Sequence, residues 1–381
     1  MREAVAGERW DAVVLLLEHN WSVLIAEDLP LLHATIAALP PRVRRSQPRW
    51  DAAEAYIAHL MSSADSPVVY RDVAPRTGET GDLLDTLTEL TSRTAGRRSA
   101  GRLDEATDAA RRARAALDGA PDADRVAVQY SLPHLMVQWG RSHEFVGDER
   151  AALVDYLETF DLGTIAGDTV ITSHVAGRIA WLHAVAGRRA LAEEWLDRTE
   201  PAAGVPVRYR TEEILARALL AADVVDFAAA RRHLESLGEQ AHPESWAEQL
   251  FVRSLVARPA DVHGMVREVE QHTVSKPTAL SPRGVDAAYL ALAVVRLRLL
   301  EARPLRALAD LREIGLSGRA GGTRPNAPLE LALALAEAAR GTCRAASGGL
   351  GRSRAARRPL PAGRAWPTCC SPCSATSPTR G

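Results

Sequence analysis

The fold class this sequence predicts is all-α, a tetratricopeptide-like α-α solenoid of helical hairpins, and three observations predict it. Apolar residues recur at steps of three and four: Ile171, Val175, Ile179, Leu182 and Ala186 form one stripe, and Leu191, Ala192, Trp195 and Leu196 form another just after Gly187. So short a connection folds the second helix back antiparallel on the first. A pair of small residues five apart, Gly187 and Ala192, then recurs as Gly101 and Ala106, Gly147 and Ala152, Val225 and Ala230, Ala257 and Val262, and Ala302 and Ala307. Its period wanders between about 32 and 46 residues, the range of two-helix repeats, in which each hairpin buries its apolar face by stacking on its neighbours. Smallness at both positions is expected to let the paired helices approach closely. Finally, aromatic residues are only 5% of the 381, while Ala, Leu, Arg and Glu dominate, which favours helix over sheet.

Taken in order, Trp10–His19 reads as a first amphipathic helix, with Gly7 and Ala12 again five apart, and Asp28–Leu39 as a second. Pro40 and Pro41 break the chain before a basic connection to a third helix at about Trp50–Leu60. Residues 1–62 are thus N-terminal hairpins. Residues 63–81 read as a loop, because Pro67, Pro75, Gly78 and Gly81 interrupt the period. The repeat array is expected over 82–341, with Pro121, Pro243, Pro259, Pro282, Pro304 and Pro328 marking helix starts and Ser281 capping one of them. Pro133, inside Val126–Trp139, should kink or split that helix. A last regular helix is expected at Leu329–Ala339.

Residues 342–381 differ from everything before them. All four cysteines and seven arginines lie there with no acid, so the remaining 40 basic and 48 acidic residues give the preceding 341 a charge of −8. An acidic body repels nucleic-acid phosphate, and a cysteine-free one contains no disulfides. The tail has no apolar period and is expected to be disordered, because it cannot bury enough surface to offset its chain entropy. Its Arg, Ala, Gly, Pro, Ser and Cys mixture reads as GC-rich DNA translated out of frame from about codon 342; the rival reading is a basic arm for nucleic acid.

The opening run Trp10-Asp11-Ala12-Val13-Val14-Leu15-Leu16-Leu17-Glu18, the Leu31-Leu32 helix ending in Ala38-Leu39-Pro40, and the Arg-rich step to Pro48-Arg49-Trp50 resemble the start of the helical-repeat region of LuxR-type transcriptional regulators of the MalT-like branch. The resemblance covers about residues 1–341. It implies a signal-sensing and oligomerising module that carries an effector or protein partner on the concave face of its repeats, in a family whose members contact DNA through a C-terminal helix-turn-helix. No such motif is found here, so this chain alone is expected to bind no specific DNA.

Other chemistry is scarce. A P-loop needs a lysine after its glycines, and the only lysine is Lys276, in Ser275-Lys276-Pro277. Neither a Gly-x-Ser-x-Gly elbow nor a His-Glu-x2-His pair occurs. His174 and His183 could line a pocket, though such histidines are usually solvent-facing or singly bonded; Trp181 and Trp195 suit packing between helices better than a stacked ligand. Arg111, Arg112 and Arg114 follow Asp104, Glu105 and Asp108 closely enough to form a solvated, paired face. Cys370 and Cys373 have zinc-knuckle spacing without further ligands. No run of about 18 apolar residues suits a membrane span and the N-terminus has no signal-peptide pattern, so the chain reads as cytoplasmic, without membrane, metal or cofactor. The reading is therefore a non-catalytic repeat module, with possible self-association. Its rivals are a free-standing repeat adaptor that docks protein segments and an enzyme on an α/α scaffold, which would require a convergent set of His, Asp and Glu.

Overall fold

The computed structural model describes residues 1–61, 82–199, 204–281, 284–313 and 334–339, and every regular element among them is helical. The first six helices are short: α1 (Arg2–Ala6), α2 (Trp10–His19), α3 (Trp21–Glu27), α4 (Leu29–Ala37), α5 (Pro41–Ser46) and α6 (Arg49–Met61). Asp28 caps α4 by accepting the Leu31 N–H at 3.0 Å, and Pro41 opens α5 where a missing N–H costs nothing. Val13, Leu17, Leu32, Ile36, Trp50 and Ile57 close a small apolar core between them.

The rest is built from pairs. They are α7 (Leu83–Ser99) with α8 (Leu103–Asp118), then after a short α9 (Asp122–Val128) α10 (Leu132–Phe145) with α11 (Glu149–Ala166), and α12 (Thr169–Val185) with α13 (Arg189–Asp197). They continue as α14 (Thr211–Asp223) with α15 (Phe227–Leu237), α16 (Trp246–Leu255) with α17 (Pro259–Ser275), and α18 (Val285–Leu300) with α19 (Pro304–Glu313). The first helices of successive pairs also pack on one another, α7 on α10, α10 on α12, α12 on α14, α14 on α16 and α16 on α18, and α18 returns to touch α10. Among the described residues no helix is long and apolar enough to cross a membrane.

The pair turns share one construction. Gly101, Gly147 and Gly187 each have φ near +73°, and Val225 and Ala302 occupy the same left-handed region at +65° and +58°. Each N–H bonds the carbonyl three residues back, and the next N–H bonds the one five back, as in Arg188 to His183 at 2.8 Å, which closes the helix end as a Schellman turn. Five residues after each turn residue, Ala106, Ala152, Ala192, Ala230 and Ala307 are fully buried. At Gly187 the first position has a different cause than close approach: a Cβ there would meet nothing within 4 Å, so glycine is there for its backbone freedom, whereas at Gly101 a Cβ would also stand 2.7 Å from the Pro277 carbonyl oxygen. Close approach governs other glycines, such as Gly177 of α12, where a Cβ would stand 2.9 Å from the backbone N of Glu213.

Two pairs depart from the pattern. Ala12 is exposed, because the left-handed residue is Glu8 at φ +53° rather than Gly7 at −88°, and the buried fifth residue becomes Val13. Between α16 and α17 the extended Arg258 and the helix-opening Pro259 replace the left-handed turn, although Val262 is still buried. Pro133 splits the expected helix, since α9 stops at Val128 and Pro133 sits in the first turn of α10. Helix α18 starts at Val285 behind Gly284, so Ser281 does not cap it. The expected loop at 63–81, Pro282, Pro328 and the tail at 342–381 lie outside the described residues; of the expected last helix, 334–339 is helical.

Candidate functional site

Helices α10, α12, α14, α16 and α18 each have two buried faces, one toward the second helices and one toward each other. Apolar residues fill most of the former, the buried Arg298–Asp310 pair between α18 and α19 being an exception. On the latter, charged side chains at helical spacing converge: Arg141 and Glu144 from α10, His174 and Arg178 from α12, Glu212 from α14, Glu248 from α16 and Asp286 from α18. All seven are buried, and Arg178, Glu212, Glu248 and Asp286 have no exposure at all.

Arg178 is the centre of one half. Its Nη2 donates to Glu144 Oε2 at 2.8 Å, its Nε donates to the Tyr156 hydroxyl at 3.0 Å, and its Nη1 lies 2.5 Å from Glu212 Oε1. Tyr156 donates to the same Glu144 oxygen at 2.6 Å, so one guanidinium joins three hairpins. Ser245 donates to Glu212 at 2.5 Å, and His174 Nδ1 lies 3.1 Å from the Tyr209 carbonyl and 3.9 Å from Glu212 Oε2. The turn before α16 closes the ring. There Glu244 accepts two bonds from Arg98 of α7, at 3.1 and 3.2 Å, and lies 3.5 Å from His59 of α6.

Arg141 is held differently. Glu244, Glu144, Glu212 and Glu248 surround it and keep it charged against its burial, yet its only hydrogen bond in this cluster is a long one, Nε to Glu244 at 3.4 Å. Its Nη1 stands 3.7 Å from Glu212 and 3.8 Å from Glu248, and neither terminal nitrogen has a hydrogen-bond partner among the described residues. Both Glu248 oxygens are likewise unpartnered. Buried polar groups are normally paired, so these orphans mark a place where the fold tolerates cost.

The carboxyls divide by their surroundings. Burial pushes Glu144 up to about 8 and Glu248 to about 7, and raises Asp286 far above the usual range with the Glu248 charge adding to it. Burial acts on Glu212 and Glu244 too, but the Arg141 charge and the Ser245 hydroxyl pull the first down, and Arg98, His59 and Arg141 pull the second well down. His174 is lowered by burial, and His242 falls to about 3 through burial and the Arg141 charge.

The repeat-packing residues Gly101, Ala106, Gly147, Ala152, Gly187, Ala192, Ala230 and Ala307 lie in separate turns and hairpins and form no common site. His174 is not on a solvent face but in the charge centre. His183 is buried with a single bond, from Arg188 Nε at 2.8 Å. Trp181 packs against Tyr289, and Trp195 meets Phe160 edge-on under the Arg198 guanidinium. Arg111 pairs with Asp108 in solvent, whereas Arg114 crosses to Asp155 and Glu158 of α11. Among the described residues no group of His, Cys, Asp and Glu is arranged to hold a metal ion. No family model, curated protein or solved structure matches this chain.

The centre is not among the sites expected from the sequence. The available signal was a charge pair at helical spacing within a helix lacking a polar face: His174 and Arg178 lie four apart in α12, where Thr169, Thr172 and Ser173 are the other polar residues before His183.

Proposed function

We propose that this chain is the signal-sensing, oligomerising helical-repeat portion of a LuxR-type, MalT-like transcriptional regulator, its hairpins stacked as a tetratricopeptide-like solenoid. The observation that carries the reading is the repeated hairpin itself, with its left-handed turn residue and buried fifth residue, whose first helices pack in succession. The N-terminal Trp10–Glu18 and Pro48–Trp50 resemblance supplies the family. An array whose inner faces meet on buried charges as well as on apolar side chains is suited to switching, because charge pairs tolerate few intermediate arrangements and an effector need only favour one of two. The effector or protein partner occupies the concave face, and the chain catalyses nothing and reads no operator by itself. Sequencing the DNA on both sides of the coding segment tests this: an ATPase-encoding frame before it and a helix-turn-helix frame beyond codon 341 are expected, and their absence in every frame would overturn the family assignment in favour of a free-standing adaptor.

One observation favours a second reading, an enzyme on an α/α scaffold. The convergence of His174, Glu144, Glu248 and Asp286, with two carboxyls poised near 7 and 8, is the chemistry general acid-base catalysis uses. These groups are sealed from solvent, so a substrate would reach them only in an opened array.

A further inference from the structure

The charge centre does not balance. Arg98, Arg141 and Arg178 bring three guanidinium charges, and Glu144, Glu212, Glu244, Glu248 and Asp286 bring five carboxyls, so two carboxyls are left without a guanidinium in a place with almost no water contact. Glu212 and Glu244 are neutralised by close guanidinium contacts. Among the described residues, Glu248 and Asp286, facing each other across the packed α16 and α18, have no cation within hydrogen-bond distance on any of their four oxygens. A buried carboxylate without a counter-ion takes up a proton or returns to water.

We propose that the closed arrangement of the first helices holds two protons among Glu144, Glu248 and Asp286, and that releasing them to solvent opens the array along the α16–α18 seam. The step is a plain dissociation: each O–H bond breaks, the proton passes to buffer and the charge remains on the carboxylate. No neighbouring group substitutes for that release. Arg141 reaches Glu248 only at 3.8 Å, and Arg178 is committed to Glu144 and Glu212. The elevated Glu144, Glu248 and Asp286 fit the placement, with Thr278 beside Asp286 and Tyr156 beside Glu144. His174 and His242, lowered, supply no compensating charge. The groups on the far sides of the seam are engaged elsewhere: Glu268 of α17 with Arg253 and His272, and Asp310 of α19 with Arg298 and Arg306.

The inference rests on the proposed role as a responsive two-arrangement module, and its test does not depend on the family. Hydrogen exchange of the full chain is followed from pH 6 to pH 9 and corrected for the intrinsic base-catalysed rate. Amides of α16 and α18 are expected to lose protection by about tenfold per pH unit for each proton released on opening, while α2 and α4 keep theirs. The Glu248→Gln, Asp286→Asn double variant, which imitates the protonated pair, should flatten that dependence, and Glu144→Gln alone should reduce it if the double variant fails to fold. A pH-independent protection in the wild type, an equal loss in the variants, or a loss shared equally by α2 and α4 would each overturn the proposal. Flanking DNA without a regulator would overturn the family reading and leave this result standing.

Discussion

Helices α12 and α13 are partners in one hairpin and follow opposite rules. In α13 only Ala192 and Leu196 are buried, and its exposed Glu193 and Glu194 pair with the half-buried Arg189, which also reaches the Leu220 carbonyl, and with Arg198 just beyond the helix. In α12 nearly every residue from Ser173 to Ala184 is buried, so there is no solvated face on which charge could rest. Polar residues there must find protein partners, and Arg178 does so in Glu144, Tyr156 and Glu212. The lesson is that the outer helix stabilises the pair by apolar contact, whereas the inner helix decides which arrangement of hairpins is allowed. Replacing Arg178 should therefore be far more damaging than replacing a surface arginine.

The largest expected effect sharpens that contrast. Arg178→Ala strands two buried carboxyls and should lower stability by about 3–5 kcal/mol in denaturant unfolding. Arg189→Ala on the outer helix should cost under about 1 kcal/mol. Comparable losses would erase the distinction between the two helices.

The apolar side of the comparison is tested at the fifth residue of the turn. Ala192→Glu overpacks the contact and buries a charge, each costing about 1–3 kcal/mol or more, and should lower the thermal midpoint clearly. Ala12→Glu, at an exposed position, should change stability by no more than about 0.5 kcal/mol. If both melting curves overlay that of the wild type, the assignment of buried and exposed positions is wrong.

At the turns the effects are smaller and have opposite signs. Gly187→Ala forces a side chain into left-handed backbone with no steric contact to relieve, and should cost about 1 kcal/mol. Val225→Gly removes a branched side chain from the same conformation and should stabilise by about 0.5–1 kcal/mol. A destabilised Val225→Gly would show that the valine earns its place through packing.

The two kinds of burial also separate by pH. Glu248 and Glu144 bind protons more tightly folded than unfolded, so the stability they contribute is complete below the ordinary value of 4.5 and is lost as pH rises through about 7 and about 8. Glu244 is depressed and works in the other direction, its stability failing as pH falls below 4.5 toward its folded value. Thermal midpoints should accordingly decline from mildly acidic to mildly alkaline pH, and the decline should shrink in Glu248→Gln.

The hairpin arrangement was legible because it depends on one apolar face per helix and on turn chemistry that repeats in the sequence. Gly101, Gly147 and Gly187 could be picked out from spacing, and the buried alanines followed from them. The register slipped at Ala12 because Glu8, a residue without special backbone freedom, takes the left-handed position. The charge centre was not legible for a different reason. Its members are scattered from Arg98 to Asp286, and each taken alone has the composition of an ordinary solvated residue; only the packing of six first helices makes them neighbours.

A double-mutant cycle across Arg178 and Glu212 addresses the central claim, that the hairpins are locked together through buried charge, most directly. Arg178→Ala, Glu212→Ala and the double variant are compared in urea unfolding. The account predicts that the double variant loses less stability than the two single losses added together, with a coupling of roughly 2–3 kcal/mol, because the second substitution removes a charge the first had left unpaired. Additivity within about 0.5 kcal/mol would mean that the two side chains do not sense each other, and would contradict it.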